Sequence, residues 1–181
     1  MNKAFFFDRD GILNKLVSDE MGIRPPHNLN ELQINYEIYE SIQKIKKNYH
    51  TFIVSNQPDV ARGSLELEIL KEIMNSIQKK FEFTDIEIEI NDNQKHKKPS
   101  PFMINNLIDK YNLSRENSWL LGDRWVDIEA GYHANINTIL LQKDYSNSPS
   151  STLKRNKEIK PDLIVKNFYE FNQLVDYQFL K

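Results

Sequence analysis

Apolar residues occur along the chain in short runs separated by stretches at helical spacing, and the two patterns alternate from one end to the other. The run Ala4 to Phe7 has the length of a strand, and its aromatic residues favour strand over helix in so short a piece. Ile38, Ile42 and Ile45 follow at helical spacing, with lysines crowding the end of the segment as a helix C-terminus prefers. "TFIVSN" (51–56) reads as a strand. Leu65 to Phe81 reads as a second amphipathic helix, with Ile69, Ile73, Ile77 and Phe81 on one stripe. "IEIEI" (86–90) alternates apolar and acidic residues where a strand buried on both faces would be uniformly apolar, so it is expected at a sheet edge. Pro101 opens a third helix, carrying Phe102, Ile104, Leu107, Ile108 and Tyr111. "SWLLGD" (118–123), "INTILL" (136–141) and "DLIV" (162–165) are the remaining strands, and "WVDIEAGYHA" (125–134) and "FYEFNQLV" (168–175) the remaining helices.

Strands alternating with helices through the whole chain mean βαβ units: an α/β, Rossmann-like parallel sheet with helices on both faces. A length of 181 residues suits one domain, spanning 1–181, and no internal repeat or linker divides it. Two segments break the alternation. Leu13 to Tyr36 is polar, contains Pro25 and Pro26, and exceeds an ordinary connection, which marks it as a functional loop. Gln142 to Lys160 is rich in Ser, Asn and Lys and reads as a solvated loop.

Composition narrows the function. A net charge of −2 and a pI of about 6.1 give no field for capturing nucleic acid or an anionic membrane, so any phosphate recognition rests on local charge. The absence of cysteine excludes disulfides, thiolate catalysis and Cys-ligated zinc. No apolar run approaches the roughly 18 residues of a membrane span, and the N-terminus has no basic segment followed by an apolar one, so a cytoplasmic protein is expected.

In an open α/β sheet, ligands bind outside the carboxyl ends of the strands. Here strands end at Asp8 and Asp10, at Ser55 and Asn56, and at Asp123, and the loop after the edge strand adds Lys97 and Lys98. Converging carboxylates without cysteine suit a hard cation such as Mg²⁺, while the lysines, the hydroxyl and backbone N–H groups form the positive side of a phosphate cradle. A carboxylate at Asp8 can attack phosphorus, and Asp10 can give a proton to the leaving alcohol and later take one from water. Gly11 lets the chain turn away. Structural roles compete for the same residues. Asp8 and Asp10 suit turn caps, Asp123 suits the cap of the following helix as well as a metal, and the run Lys95, Lys97, Lys98 suits a solvated face. Arg62 reads as an anchor of its loop, Trp125 as packing, and His27, His50 and His133 as surface residues.

"DRDGILN", "VSNQPDVARG", "KKPSP" and "LGDRWVDIEAG" resemble, in order and spacing, the four motifs of the haloacid dehalogenase (HAD) phosphohydrolases, over residues 4 to 141. They further resemble the capless subfamily IIIA branch of D-glycero-D-manno-heptose 1,7-bisphosphate phosphatases and histidinol phosphatases. The resemblance implies Asp8 as nucleophile and Mg²⁺ ligand, Asp10 as acid/base whose backbone carbonyl also ligates, and Asp123 as the third ligand, supported by Asp127. It implies Ser55 and Lys98 as stabilisers of the transferring phosphoryl group, and Asn56, Lys97 and Arg124 as substrate-binding residues. Three positions depart from the branch: Ile12 replaces the usual Thr or Val, Lys97 stands where many members carry Arg, and "NDNQKHKK" holds only His96 where a zinc loop is common, so zinc is not expected. The function so implied is a Mg²⁺-dependent phosphatase of a small sugar phosphate, foremost heptose 1,7-bisphosphate for lipopolysaccharide or capsule, acting through an aspartyl phosphate. Histidinol phosphate or another small phosphate monoester is the nearest alternative substrate. A non-catalytic or receiver-like phosphate-sensing domain is the rival outside the enzyme class. The implied partner is a small phosphorylated sugar or alcohol, selected by loops 13–36 and 91–97 or by a partner subunit, with the chain a monomer or small homo-oligomer and no nucleic acid or membrane involved.

Overall fold

The computed structural model describes residues 2–20, 22–147 and 156–180. In chain order the elements are β1 (Ala4–Phe7), β2 (Val17–Asp19), β3 (Gly22–Arg24), α1 (Tyr39–Ile45), β4 (His50–Asn56), α2 (Leu67–Phe81), β5 (Asp85–Glu89), α3 (Phe102–Tyr111), β6 (Trp119–Gly122), α4 (Trp125–His133), β7 (Asn137–Leu141), β8 (Leu163–Val165) and α5 (Phe168–Leu174). Six strands form one sheet in the order β5-β4-β1-β6-β7-β8, and every neighbouring pair is parallel. The fold is therefore the expected parallel α/β sheet.

The alternation of side chains along a strand divides the core in two. On one face Phe5 and Phe7 join Ile42 and Ile45 of α1, Ile73, Ile77 and Phe81 of α2, and Phe171 of α5. On the other, Ala4 and Phe6 pack with Phe52, Val54, Met103, Ile104 and Leu107 of α3, and Ala130 of α4. All four residues of β1 are fully buried, as a strand covered on both faces requires. β5 carries the acidic alternation to the sheet edge, where Asp85 meets Lys110 and Tyr111 of α3 at 2.7 and 3.0 Å.

Two elements differ from the sequence expectation. The buried stripe of α2 is Leu70, Ile73, Met74, Ile77 and Phe81, so the helix is turned toward its i+3 neighbours and Ile69 is only half-buried. The 13–36 segment contains a small antiparallel hairpin, β2 with β3, held by Arg24, which bonds Asp19 at 2.8 Å and Glu31 at 2.8 and 3.1 Å. Strands this short and polar carry no alternation to reveal them. Among the described residues no cap domain is inserted, and no helix is long and apolar enough to cross a membrane. The middle of the 142–160 segment lies outside the described residues.

Phe6 stacks on Phe52 with ring centroids 5.2 Å apart and has no exposed surface. Phe6→Ala is expected to lower the unfolding free energy by about 3–5 kcal/mol, read from urea denaturation. A loss well under 1 kcal/mol would mean that β1 is not the centre of the core.

Candidate active site

β1 lies between β4 and β6, so the residue that follows it emerges at the middle of the sheet's carboxyl edge. Phe7 is in register with Ile53 and Leu121, which sets Asp8 level with Val54 and Gly122, and the Asp8 N–H donates to Leu121 O at 3.0 Å. Asp123 follows directly from β6. The oxygens of Asp8, Asp123 and Asp127 lie within 4.8 Å of one another, and all three residues are buried.

Lys98 closes this group from the side of β4. Its Nζ lies 2.6 Å from Asp8 Oδ1 and 2.6 Å from Asp127 Oδ1, and it donates to Val54 O at 2.9 Å. Burial would strip the proton from this lysine, but the charges of Asp127 and Asp8 outweigh it and hold the ammonium well above its usual range. Asn56 fixes the Lys98 backbone from both sides: its Oδ1 accepts the Lys98 N–H at 2.9 Å and its Nδ2 donates to Lys98 O at 3.0 Å. Both polar ends of Asn56 are thus committed to placing Lys98 rather than directed at a substrate.

Asp10 faces elsewhere. Its carboxylate takes a two-pronged bond from Arg9 (Nε to Oδ2 and Nη2 to Oδ1, both 2.9 Å), with Asn14 Nδ2 at 3.0 Å and Gln57 Nε2 at 2.8 Å. Burial alone would raise this acid, but the Arg9 guanidinium and the hydrogen bonds from Asn14, Arg9 and Gln57 outweigh it, so Asp10 is held below the usual carboxylate range. The third side chain of the carboxylate cluster is accordingly Asp127, not Asp10, and a metal role for Asp10 falls to its backbone carbonyl. Gln57 also donates to Ser55 Oγ at 2.8 Å, joining that hydroxyl to the Asp10 carboxylate.

α4 begins after Arg124, which occupies the N-cap position expected for Asp123. Asp127 does the capping, accepting the Arg124 N–H at 3.1 Å through Oδ2 while Oδ1 meets Lys98. Asp123 is left for other work. Glycine is required beside both acids. A Cβ on Gly122 would fall 2.3 Å from Asp127 Cβ, and one on Gly11, at φ +89°, would fall 2.0 Å from Asp123 Oδ2. Arg124 is half-buried against the acids, and their charge, which outweighs burial, holds its guanidinium protonated.

Lys97 is not brought to this cluster. It pairs with Asp92, which also takes Arg62 Nη2 at 3.3 Å; Arg62 Nη1 stands 3.6 Å from Asp59, and Asp59 Oδ2 lies 3.0 Å from His27 Nε2. This ladder ties the Pro-rich loop, the loop after β4 and the loop after β5 into one rim, with Arg62 as the anchor its sequence context suggests. His96 stacks on Phe102 at 4.0 Å and faces Glu89 at 3.4 Å. Trp125 packs with Ile128, Leu140 and Ile159.

The donor set fits a divalent cation. Asp8, Asp123 and Asp127 carry more negative charge than Lys98 can match, and Asp123 Oδ1 is buried without a hydrogen-bond partner. Burial, only partly offset by Lys98 and reinforced by Asp127 and Asp10, pushes Asp8 up to about 6. Burial with the neighbouring Asp8 and Asp127 pushes Asp123 up to about 8. Both values lie above the ordinary 3.8. The folded state therefore binds more protons than the unfolded chain between these limits, and the metal-free protein loses stability as pH rises through the window. The melting temperature of metal-free protein is expected to fall from about pH 5 to about pH 8, with Mg²⁺ raising it more at the upper end, where the acids give up their protons and become free to ligate. A flat profile, or an equal Mg²⁺ effect at both ends, would contradict this reading of the cluster.

Arg9, Gln57, Tyr145 and Ser146 belong to the site although their types and spacing did not single them out. Tyr145 Oη bonds Asp123 Oδ2 at 2.5 Å and Ser146 Oγ bonds Asp123 O at 2.6 Å, from a segment whose composition reads as solvated. For Arg9 the available signal was an arginine wedged between two acids in a motif that follows a buried strand.

The comparisons with known proteins agree with this geometry. A family model described as HAD-hydrolase-like matches residues 96–171. The chain is 28% identical over 146 residues to the D-glycero-alpha-D-manno-heptose-1,7-bisphosphate 7-phosphatase of Campylobacter jejuni, covering 77% of this chain and 81% of that protein. It is 24% identical over 168 residues to the D-glycero-beta-D-manno-heptose-1,7-bisphosphate 7-phosphatase of Helicobacter pylori, covering 84% and 91%. Its fold is similar to that of the D,D-heptose 1,7-bisphosphate phosphatase of B. bronchiseptica, a crystal structure complexed with magnesium and phosphate, with a TM-score of 0.76, 16% identity, and coverage of 96% and 97%.

Proposed function

We infer that this chain is a HAD-like, Mg²⁺-dependent phosphoric monoester hydrolase whose substrate is a small phosphorylated sugar, foremost D-glycero-D-manno-heptose 1,7-bisphosphate. The observation that carries the chemistry is a buried carboxylate, Asp8, at the central strand end, bridged to Lys98 and lying beside the unpartnered Asp123 Oδ1. The substrate rests on the relatives, whose names include both anomers. The reading takes residues 1–181 as one hydrolase domain, working in the cytoplasm.

Asp8, Asp123 and the Asp10 backbone carbonyl would hold the cation, which when bound would neutralise charge on the phosphoryl group and the nucleophile. Asp8 attacks phosphorus in line, the ester P–O bond breaks, and a proton from Asp10 goes to the leaving alcohol oxygen. In the second half a water molecule loses a proton to Asp10 and attacks the aspartyl phosphate, which frees Asp8 and inorganic phosphate and reloads Asp10. The carboxylate bonded to Arg9 is the base form used in that half, and the acid form used in the first half is the one this step regenerates. Lys98 and Ser55 stabilise the transferring oxygens, where positioning and charge neutralisation supply most of the catalysis. Arg124, half-buried beside the acids, would contact the substrate. Lys97 gains access to substrate by exchanging Asp92 for a phosphate, an exchange that a partly exposed ion pair permits cheaply.

Phosphate release with Mg²⁺ tests this on a panel of both heptose 1,7-bisphosphate anomers, histidinol phosphate and simple sugar phosphates. The expected outcome is preferred turnover of a heptose bisphosphate, lost on the order of 10³-fold or more in Asp8→Asn. Preference for histidinol phosphate would move the substrate assignment within the same chemistry. No turnover of any ester, with a long-lived acyl phosphate on Asp8, would replace hydrolysis by phosphate sensing.

A further inference from the structure

The turn Asp144–Asn147 follows β7 and reaches back over the carboxyl edge of the sheet to Asp123. It grips that residue at two places. Tyr145 Oη lies 2.5 Å from Oδ2 of the side chain, and Ser146 Oγ donates to the main-chain carbonyl at 2.6 Å while accepting the Lys143 N–H at 2.9 Å. Ser146 has no exposed surface and Tyr145 is half-buried. The same carboxylate oxygen also lies against Gly11, where an added Cβ would lie 2.0 Å from Asp123 Oδ2 and 2.7 Å from Tyr145 Oη. One oxygen of Asp123 thus lies against both a phenol and a glycine backbone. The other, Oδ1, is buried without a hydrogen-bond partner, in the residue that shares a cluster with Asp8 and Asp127.

We propose that Tyr145 is a positioning residue for the cation: by donating its O–H to Asp123 Oδ2 it makes Asp123 a one-oxygen ligand through Oδ1, and Ser146 fixes the turn that delivers the phenol. The proposal rests on the Mg²⁺ site of the preceding section. Mg²⁺ demands near-octahedral ligands at short distance, so a carboxylate free to swing or to chelate through both oxygens is a poor ligand for it. An outer hydrogen bond that fixes the ligating oxygen is the usual remedy, and its loss typically costs about 10–100-fold in metal affinity. A neutral phenol suits the task, because it gives one hydrogen bond without adding a positive charge that would compete with the cation.

Tyr145→Phe removes only the hydroxyl. Calorimetric titration with Mg²⁺ alone is expected to give a dissociation constant about 10-fold or more above that of the unmodified protein. In p-nitrophenyl phosphate hydrolysis, the Mg²⁺ concentration for half-maximal rate should rise by a similar factor, with a smaller fall in kcat at saturating Mg²⁺. Ser146→Ala should shift the Mg²⁺ constant in the same direction. An unchanged Mg²⁺ constant in Tyr145→Phe would overturn the proposal, as would a lowered metal-free melting temperature with unchanged Mg²⁺ affinity in both variants, which would reduce the turn to a structural strap. Failure of the unmodified protein to bind Mg²⁺ would overturn the metal site itself, and this proposal with it, and would be distinguished by appearing before any substitution is made.

Discussion

A single buried ammonium holds the working edge of this sheet together. Lys98 Nζ stands between Asp8 at the end of β1 and Asp127 in the first turn of α4, 2.6 Å from each, and also bonds the β4 carbonyl of Val54. A buried charge is tolerated only when paired and fully hydrogen-bonded, so the surrounding structure is constrained to deliver two carboxylates and a carbonyl to one point. Asn56 meets that constraint by clamping the Lys98 backbone, and Gly122 by leaving room for Asp127 to fold back against the strand end. What remains after Lys98 is satisfied is negative charge around Asp123, a donor set that fits a divalent cation.

Asp10 has a counter-ion of its own. Arg9 is fully buried and bonds Asp10 through two nitrogens, so Asp10 stays outside the carboxylate cluster, although its charge still reinforces the rise of Asp8. Two carboxylates two residues apart are thereby given opposite environments: Asp8 has its proton affinity raised, first by burial, while in Asp10 the guanidinium and hydrogen bonds overcome burial and lower it. Divergent environments for neighbouring acids are what a nucleophile and a proton carrier need if they are to hold different roles at one pH. Gln57 couples the two halves of the site by bonding Asp10 and Ser55 together.

Much of the fold is legible in the sequence because strand and helix periods are local properties. "AFFF" declares a strand and "IEIEI" an edge strand; β5 lies at the edge, and β1 proves to be central. The acids of the site are legible for a related reason: once the strands are parallel and in order, residues just past their carboxyl ends must meet. Side-chain direction is not local, and there the sequence says less. Asp123 looks like a helix cap but leaves capping to Asp127, and Asn56 looks like a substrate contact but serves Lys98. Tyr145 and Ser146 lie in a polar segment and reach Asp123 only because β7 returns the chain to the sheet edge. The β2–β3 hairpin is hidden because its register is set by Arg24 and not by apolar alternation.

The most direct test of this charge arrangement is a crystal structure of the protein with Mg²⁺ and beryllium fluoride, which mimics a phosphoryl group on a carboxylate. The account requires beryllium bonded to Asp8, one cation touching Asp8 and Asp123 through Oδ1, and the Lys98 ammonium against the fluorides. Beryllium on any other carboxylate, or a cation held away from Asp123, would contradict it.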